Sequence, residues 1–185
     1  MADLDGMRVA MIALDGFEKV ELTEPRKALE EAGAKVDVIS EKSGEIQGFR
    51  HHDKAGKVKV DKTLERARPD EYDALMLPGG ALNADQARMS PQIRQFIREM
   101  DRAEKPMAAI CHAPWELISA EVVRGRKLTS WPSIQDDVRN AGGDWMDREC
   151  VVDQNLVTSR GPQDLPAFNR EMIALFGRVP AESRR

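Results

Sequence analysis

Short apolar segments alternate with segments of helical periodicity along this chain, and the apolar segments have the length of strands. Residues 7–14 are almost entirely apolar, and shorter apolar runs lie within 73–77 and 107–110. A strand that is apolar on both faces is buried on both faces, which is typical of a parallel sheet enclosed between two layers of helices. The alternation therefore predicts an α/β fold of three layers with a mostly parallel sheet.

Helical segments fill the intervals between these strands. Ala28, Leu29 and Ala32 share one helical face, and Gly33 stands where a helix usually ends. Residues 94–100 repeat the amphipathic pattern. Both helices are expected to pack an apolar face against the sheet.

Three other segments have a different pattern. Residues 57–61 alternate strictly between charged and apolar side chains, and the short runs 150–152 and 156–158 flank a polar turn. Alternation and a tight turn are typical of antiparallel pairing with one exposed face. We therefore expect a short, half-exposed antiparallel addition to the parallel sheet.

The length of the chain fits one folded unit. A chain of 185 residues buries about 70% of its unfolded surface, and no repeat or long linker divides it. We expect a single domain over residues 1–185. Residues 179–185 are polar and contain Pro180, so this tail is predicted to be frayed or loosely docked.

Charge and cysteine content exclude several classes of protein. The chain has 28 basic and 32 acidic residues, a net charge of −4, which disfavours nucleic acid and anionic membranes as partners. No apolar stretch approaches the roughly 20 residues of a membrane span, and the acidic N-terminus is unlike a secretory signal. Two cysteines make no disulfide framework. A cytoplasmic location is expected.

Cys111 is the strongest candidate for a reactive group. It follows the apolar run 107–110 and precedes a segment whose apolar residues have mixed helical spacing, so the thiol stands at a strand-to-helix turn. A thiol there faces free backbone N–H groups and the positive end of a helix. Both lower the pKa of a thiol below its usual value of about 8.5, which predicts a thiolate at neutral pH.

Other candidate residues have simpler interpretations. Cys150 lies in a predicted strand without a helix start or a neighbouring base, and a buried structural role is expected for it. His51 and His52 are adjacent, so they would face opposite ways on a strand. We expect exposed loop or edge residues there and no metal site. No phosphate-binding glycine motif is present either, so no cofactor is predicted.

Several segments together resemble the DJ-1/PfpI superfamily, in particular its PfpI branch of intracellular-protease-like stress proteins. The resemblance covers nearly the whole chain. The matching segments are DGFEKVEL (15–22), DALMLPGG (73–80), AICHAP (109–114), LTSWP (128–132), DDVRNAGG (136–143), VVD (151–153) and LVTSR (156–160). The resemblance implies a flavodoxin-like three-layer sandwich of the class I glutamine amidotransferase type.

The resemblance also implies roles for individual residues. Cys111 would be the nucleophile, and the backbone amides of Gly80 and His112 would form an oxyanion hole beside it. Glu21 would reach the cysteine. A charged carboxylate next to a thiolate is repulsive, so Glu21 is expected to be protonated and to donate a hydrogen bond to the sulfur. On its own pattern, Glu18 would be a solvated helix residue.

In the PfpI branch the histidine after the cysteine is described as the base, oriented by an acid from an adjacent subunit. His112 takes that position, although a residue directly after such a turn usually points away from its neighbour's reactive atom. Asp85 occupies the place of the acid, with a one-residue length change and a shorter side chain than the usual glutamate, which weakens a protease-type triad. Ala113 replaces the usual glycine and is expected to narrow the pocket slightly.

The candidate thiol and the family resemblance together leave three functional classes. The first is a hydrolase-like stress enzyme that acts on carbonyl adducts, as a glyoxalase or deglycase, or on peptides. The second is a redox responder in which Cys111 is oxidised to sulfenate or sulfinate, and the third is a holdase-type chaperone. The resemblance implies at least a dimer, and three tryptophans among few aromatic residues are candidates for an interface or for the core.

Overall fold

The computed structural model describes residues 3–184 of the protein. Within them the strands are β1 (Arg8–Ile12), β2 (Phe17–Glu18), β3 (Lys35–Ser40), β4 (Glu45–Arg50), β5 (Asp53–Lys59), β6 (Lys62–Thr63), β7 (Ala74–Leu77), β8 (Met107–Ile110), β9 (Lys127–Leu128), β10 (Asp144–Trp145), β11 (Val151–Asp153) and β12 (Leu156–Ser159). The α-helices are α1 (Lys19–Glu31), α2 (Ala81–Ala87), α3 (Pro91–Arg102), α4 (Pro114–Ser119), α5 (Gln135–Asn140) and α6 (Leu165–Phe176).

A seven-stranded sheet forms the centre of the molecule. Its strand order is β11-β12-β8-β7-β1-β3-β6, and β11 alone runs antiparallel to its neighbour in this sheet. Helices α1 and α6 pack together on one face, and α3, α4 and α5 cover the other. The predicted three-layer α/β sandwich is therefore confirmed.

Side chains of each central strand alternate between the two faces of the sheet. On β1, Val9 and Met11 join the apolar cluster that includes α1 and α6, whereas Ala10 and Ile12 join the cluster that includes α3 and α4. All four are fully buried. A buried side chain of the size of valine or methionine contributes about 1.5–3 kcal/mol, which explains why both faces of these strands are apolar.

A smaller sheet lies beside the carboxyl ends of the central strands. It consists of β2, β4 and β5, and β4 pairs with β5 in antiparallel fashion, as the alternation in residues 57–61 predicts. The turn of this hairpin is formed by His51 and His52. Gly48 lets β4 cross the ring of Phe17, because an added Cβ there would lie 3.0 Å from a ring carbon.

The hairpin β11-β12 is only partly the expected half-exposed addition. Its two strands pair in antiparallel fashion, but β12 is buried throughout and pairs in parallel with β8. It is therefore a member of the central sheet. The prediction erred because β11 covers one edge of β12 and α6 packs against it, and neither contact is visible in a four-residue apolar run.

The C-terminal segment is docked rather than frayed over its described part. Val179 packs against the core, and the Arg184 guanidinium donates hydrogen bonds to the backbone oxygens of Asp3 and Asp5 at 3.0 and 2.9 Å. These contacts correct the expectation for residues 179–184, and Arg185 lies outside the described residues. None of the helices in residues 3–184 is long and apolar enough to cross a membrane.

The buried carboxyl group of Glu116 has no hydrogen-bond partner within residues 3–184. Glu116 in α4 is fully buried, and neither of its side-chain oxygens makes a hydrogen bond to another described residue. Burial raises the pKa of Glu116 well above its usual range. Its protonated form is therefore the one compatible with the fold.

We predict that Glu116→Leu raises the free energy of unfolding, and that its advantage over the parent grows with pH. As pH rises above about 4.5, the unfolded parent loses this proton while the folded parent keeps it, which costs about 1.4 kcal/mol per pH unit. Urea unfolding at several pH values measures the difference. Glu24→Leu, at an exposed position of α1, is the control, and an advantage of Glu116→Leu that is independent of pH would contradict the prediction.

Candidate active site

The backbone turns sharply at Cys111, between β8 and the start of α4. Cys111 has a φ of +64°, a conformation that residues with a side chain rarely adopt. The turn is held by the Cys111 N–H, which donates to Ser159 O at 3.0 Å, and by the Trp131 N–H, which donates to Cys111 O at 2.8 Å. A strained turn of this kind at the end of a sheet strand presents a nucleophile to a cavity.

Two backbone amides point at the Cys111 sulfur. They belong to Gly80 and His112, the residues expected to form an oxyanion hole. Gly79 permits this approach, because a Cβ at that position would lie 2.6 Å from Cys111 Cβ and 2.5 Å from Glu21 Oε1. The Pro78-Gly79-Gly80 loop is therefore fixed by close packing against the cysteine.

Glu21 lies in the first turn of α1 and is completely buried beside Cys111. Burial, followed by the negative charge of Glu18, raises the pKa of Glu21 to about 8, and a hydrogen bond with the Cys111 side chain opposes this rise. Neither Glu21 oxygen has another well-aligned partner among the described residues. Glu21 is therefore a neutral carboxylic acid at pH 7.

The pKa of Cys111 shifts in the direction opposite to the one predicted from its place before a helix. Burial raises the pKa of the thiol, a charge on Glu21 raises it further, and the amides of Gly80 and His112 lower it. The sequence suggested a thiol whose pKa is set by the free amides and the positive end of a helix. The structure instead gives a thiol that is only 6% exposed in front of a six-residue helix.

Glu21 and Cys111 must be considered as a pair, because they exchange a hydrogen bond and one charge excludes the other. The sulfur has two amide donors, whereas the Glu21 carboxyl group has none. A single negative charge is therefore better placed on the sulfur, with Glu21 as the donor of a third hydrogen bond. With Glu21 protonated, the carboxylate repulsion that raises the thiol pKa is absent.

His112 does not point away from the cysteine as the sequence suggested. Its Nδ1 lies 3.2 Å from the Cys111 sulfur, and its ring is stacked on Trp131 and meets Trp115 edge-on. Burial lowers the pKa of His112, so its neutral form can accept the thiol proton. The structure therefore brings a base to the nucleophile.

Ala113 and Asp85 lie away from the cavity at Cys111. Ala113 is completely buried in the apolar cluster with α3 and α4 and does not line the cavity at Cys111, so its methyl group does not narrow that cavity. Asp85 is exposed on α2 and is absent from the cavity lining. Within one chain, no carboxylate makes a hydrogen bond to His112 in the described residues.

A cavity of about 450 Å³ opens over Cys111. Its lining includes Glu18, His51, His52, Leu82 and Trp131. The prediction of a solvated helix residue at Glu18 was wrong, because Glu18 is only 8% exposed and ends β2, just before α1. His51 and His52 are exposed in the hairpin turn, as expected, and reach the cavity because the β4-β5 hairpin folds over it.

A larger groove of about 920 Å³ lies at the opposite end of the sheet, near Lys105 and Asn155, which precede β8 and β12. Arg126, a buried cation of this groove, is already paired with Asp101 at 3.0 Å. In parallel sheets ligands bind at the carboxyl ends of the strands, where Cys111 lies. Over residues 3–184, no cluster of three histidine, cysteine or acidic side chains is arranged to hold a metal ion.

The fold and the site define a class: a three-layer α/β protein with a cysteine at a strained strand-to-helix turn. A model of the DJ-1/PfpI family matches residues 7–175. This chain belongs to the DJ-1/PfpI family.

Relatives with known names are similar over most of the chain. A deglycase of Pyrococcus abyssi is 46% identical, covering 92% of this chain and 99% of the relative. Protein/nucleic acid deglycase 2 of Escherichia coli is 43% identical and general stress protein 18 of Bacillus subtilis is 42% identical, each covering 92% of this chain and 98% of the relative. The chain is thus most similar to the PfpI and deglycase members of the family.

A solved structure of the family has the same fold. Drosophila melanogaster DJ-1beta superimposes with a TM-score of 0.84 at 28% identity, covering 96% of this chain and 92% of that one. The flavodoxin-like α/β fold expected from the resemblance is confirmed.

We predict that Glu21→Gln leaves the rate of Cys111 alkylation by iodoacetamide nearly unchanged between pH 6 and 8, because an amide N–H replaces the acid O–H as the donor to the sulfur. Glu21→Leu has no donor and should slow alkylation by about tenfold, the equivalent of about 1.4 kcal/mol of lost anion stabilisation. Mass spectrometry of the Cys111 peptide measures the rate separately from Cys150. Much faster alkylation of Glu21→Gln at neutral pH would mean that Glu21 is charged in the parent.

Proposed function

We propose that the protein is a cytosolic stress-protection enzyme that uses Cys111 as a nucleophile on carbonyl-derived adducts, as a glyoxalase or deglycase. One observation carries the proposal: the Cys111 sulfur receives two backbone amides and lies against a neutral, buried Glu21. These groups stabilise negative charge at the sulfur or on an oxygen attached to the neighbouring carbon. Relatives named as deglycases and as a general stress protein support the substrate class.

The geometry suggests the order of steps with a 2-oxoaldehyde. His112 Nδ1 takes the thiol proton while the sulfur bonds to the aldehyde carbon, and the carbonyl oxygen then takes a proton to give a thiohemiacetal. The hydrogen on the thiohemiacetal carbon moves, as a proton, to the adjacent carbonyl carbon, and the hydroxyl proton moves to the oxygen of that carbonyl. The product is a thioester of a 2-hydroxy acid. Water releases a 2-hydroxy acid and regenerates the thiol, so no external oxidant or reductant is needed.

Peptide hydrolysis is the weaker form of this proposal. A cysteine protease uses a histidine that a third polar group orients, and His112 has no such hydrogen bond within the described residues of one chain. An acid from a neighbouring subunit, for which Asp85 is the candidate, would have to complete the triad. Small carbonyl substrates do not need this third group for the first addition.

A redox role is a second candidate because of one observation. Neither oxygen of the buried Glu21 carboxyl group has a well-aligned partner among the described residues, and its proton faces the sulfur. An oxygen added to Cys111 by a peroxide could accept that proton, which would stabilise a sulfenate or sulfinate. In that case the thiol would be consumed once per oxidant and would not turn over.

We predict that Cys111→Ser lowers methylglyoxal consumption by at least about 100-fold, since the hydroxyl is a far weaker nucleophile, whereas Cys150→Ser retains the parent rate. Burial raises the pKa of Cys150 to about 11, so its thiol is unreactive at neutral pH. Product formation measured against enzyme concentration separates turnover from stoichiometric loss. Stoichiometric oxidation without turnover would favour the redox role, and suppression of aggregation that survives Cys111→Ser would favour a chaperone.

We also propose that the protein forms at least a dimer through the outer side of α2. Leu82 is 55% exposed and Met89 is 73% exposed, and Asp85 is exposed on the helix between them. Trp131, 36% exposed, lies across the cavity from Leu82. Burying these apolar side chains against a second copy would remove them from water and place Asp85 near a neighbouring site.

Light scattering at micromolar concentration should give a mass of at least two chains for the parent, and the double variant Leu82→Glu/Met89→Glu should shift the mass toward one chain. The substitutions place charges where apolar contacts are expected. Val152→Glu is the control, because Val152 is also exposed but lies on β11. A parent that is monomeric at this concentration would contradict the proposed assembly.

A further inference from the structure

Glu18 is a second acidic residue of the cavity, and its position differs from that of Glu21. It ends β2 and precedes the first residue of α1, is 8% exposed, and lines the same cavity as Cys111. Burying a carboxylate costs free energy unless the group is hydrogen-bonded or paired, so the surroundings of Glu18 need an explanation.

The Glu18 side chain is held in place from one side only. Its Oε2 accepts a hydrogen bond from the His51 N–H at 3.0 Å, and its own backbone N–H donates to Gly79 O at 3.2 Å. The second carboxylate oxygen makes no hydrogen bond to another described residue. That oxygen is available to a molecule in the cavity.

The two acids of the site have different surroundings. Glu21 is completely buried against the Cys111 sulfur and is absent from the cavity lining, whereas Glu18 is one of the lining residues. The negative charge of Glu18 is, after burial, a cause of the raised pKa of Glu21. Glu21 therefore serves the sulfur, and Glu18 is the acid that a molecule in the cavity can reach.

We propose that Glu18 is the general base that activates water for hydrolysis of the thioester on Cys111. This inference rests on the proposed function, since it requires an acyl group on the sulfur. The hairpin turn positions the carboxylate through the His51 amide, and Glu18 lines the cavity in which the acyl group must lie.

The step balances without another reactant. The oxygen of water bonds to the thioester carbonyl carbon while one of its protons passes to the free oxygen of Glu18. The carbon–sulfur bond then breaks, and the sulfur leaves as a thiolate that the amides of Gly80 and His112 stabilise. The proton on Glu18 returns to the sulfur or to solvent, so a thioester and water give a carboxylic acid and a thiol.

His112 is less suited to this step than to the first one. Its Nδ1 is directed to the sulfur at 3.2 Å, its ring contacts two indoles, and no described carboxylate orients it. Glu18 in contrast is held by the His51 backbone amide and lines the cavity. The two residues therefore act in separate steps, His112 in forming the acyl group and Glu18 in removing it.

The test is to follow p-nitrophenyl acetate, whose acetyl group would form a thioester with Cys111, in rapid-mixing experiments. For Glu18→Gln we expect a normal burst of nitrophenolate and a steady-state rate about 100-fold below that of the parent, because the base is lost. Glutamine can still accept the His51 N–H, so the hairpin should remain in place. Mass spectrometry should find the acetyl group accumulated on Cys111, and methylglyoxal should leave an adduct at the same residue.

Three variants make the result specific. Glu24→Gln, which changes an exposed acid of α1, should behave as the parent, and His112→Gln should slow the burst itself. Glu18→Ala should regain steady-state turnover when formate is added, which a structural role would not produce. Formate rescue also decides the question if Glu18→Gln fails to fold.

The outcomes separate the two proposals. A parent that shows neither burst nor acyl group on Cys111 would overturn the proposed function, and this inference with it. A parent that turns over, together with a Glu18→Gln variant that loses its acyl group at the parent rate or never acquires one, would overturn the role of Glu18 alone. Glu18→Ala without formate rescue would do the same.

Discussion

The contact between the buried Glu21 acid and the Cys111 sulfur determines how the rest of the site is built. The contact requires α1 to begin directly beneath the Pro78-Gly79-Gly80 loop and requires glycine at position 79, where a Cβ would strike both Glu21 and Cys111. It also favours the neutral acid, because the described surroundings offer a Glu21 carboxylate no donor other than the Cys111 thiol. Burial disfavours the charged form of an ionisable group. Here burial keeps the Glu21 carboxyl group protonated and so allows it to donate a hydrogen bond.

The neighbouring polar groups Glu18 and His112 differ from Glu21 in their surroundings. Glu21 serves the sulfur and Glu18 lines the cavity, while burial lowers the pKa of His112 beside the thiol. The central sheet makes this arrangement rigid. The Cys111 N–H donates to the carbonyl oxygen of Ser159, the last residue of β12, and β12 pairs with β8. The reactive sulfur thus lies at the end of a central strand, while the hairpin that carries His51 forms one side of the cavity.

Local sequence was sufficient where a residue's environment follows from its own segment. The continuous apolar runs of β1, β7 and β8 predicted their burial, and the turn after β8 predicted the location of the thiol. The placement of β12 in the central sheet could not be predicted, because a short apolar run does not reveal which strand or helix covers it. The docking of Arg184 on Asp3 and Asp5 likewise joins opposite ends of the chain.

The site was predictable in its members and less so in its electrostatics. Cys111, Glu21, Gly80 and His112 were named from motifs and lie together, but the raised pKa of the thiol depends on burial by distant segments. Glu18 was wrongly predicted to be a solvated helix residue for the same reason, whereas His51 and His52 were correctly predicted to be exposed but not to line the cavity.

The most direct test of the account is the carbon-13 NMR signal of the Glu21 carboxyl group, assigned by its loss in Glu21→Gln and followed with pH. The account predicts the chemical shift of a neutral acid up to pH 7 and a transition near pH 8. A transition complete below pH 5 would show a charged Glu21 beside the sulfur and would contradict the account.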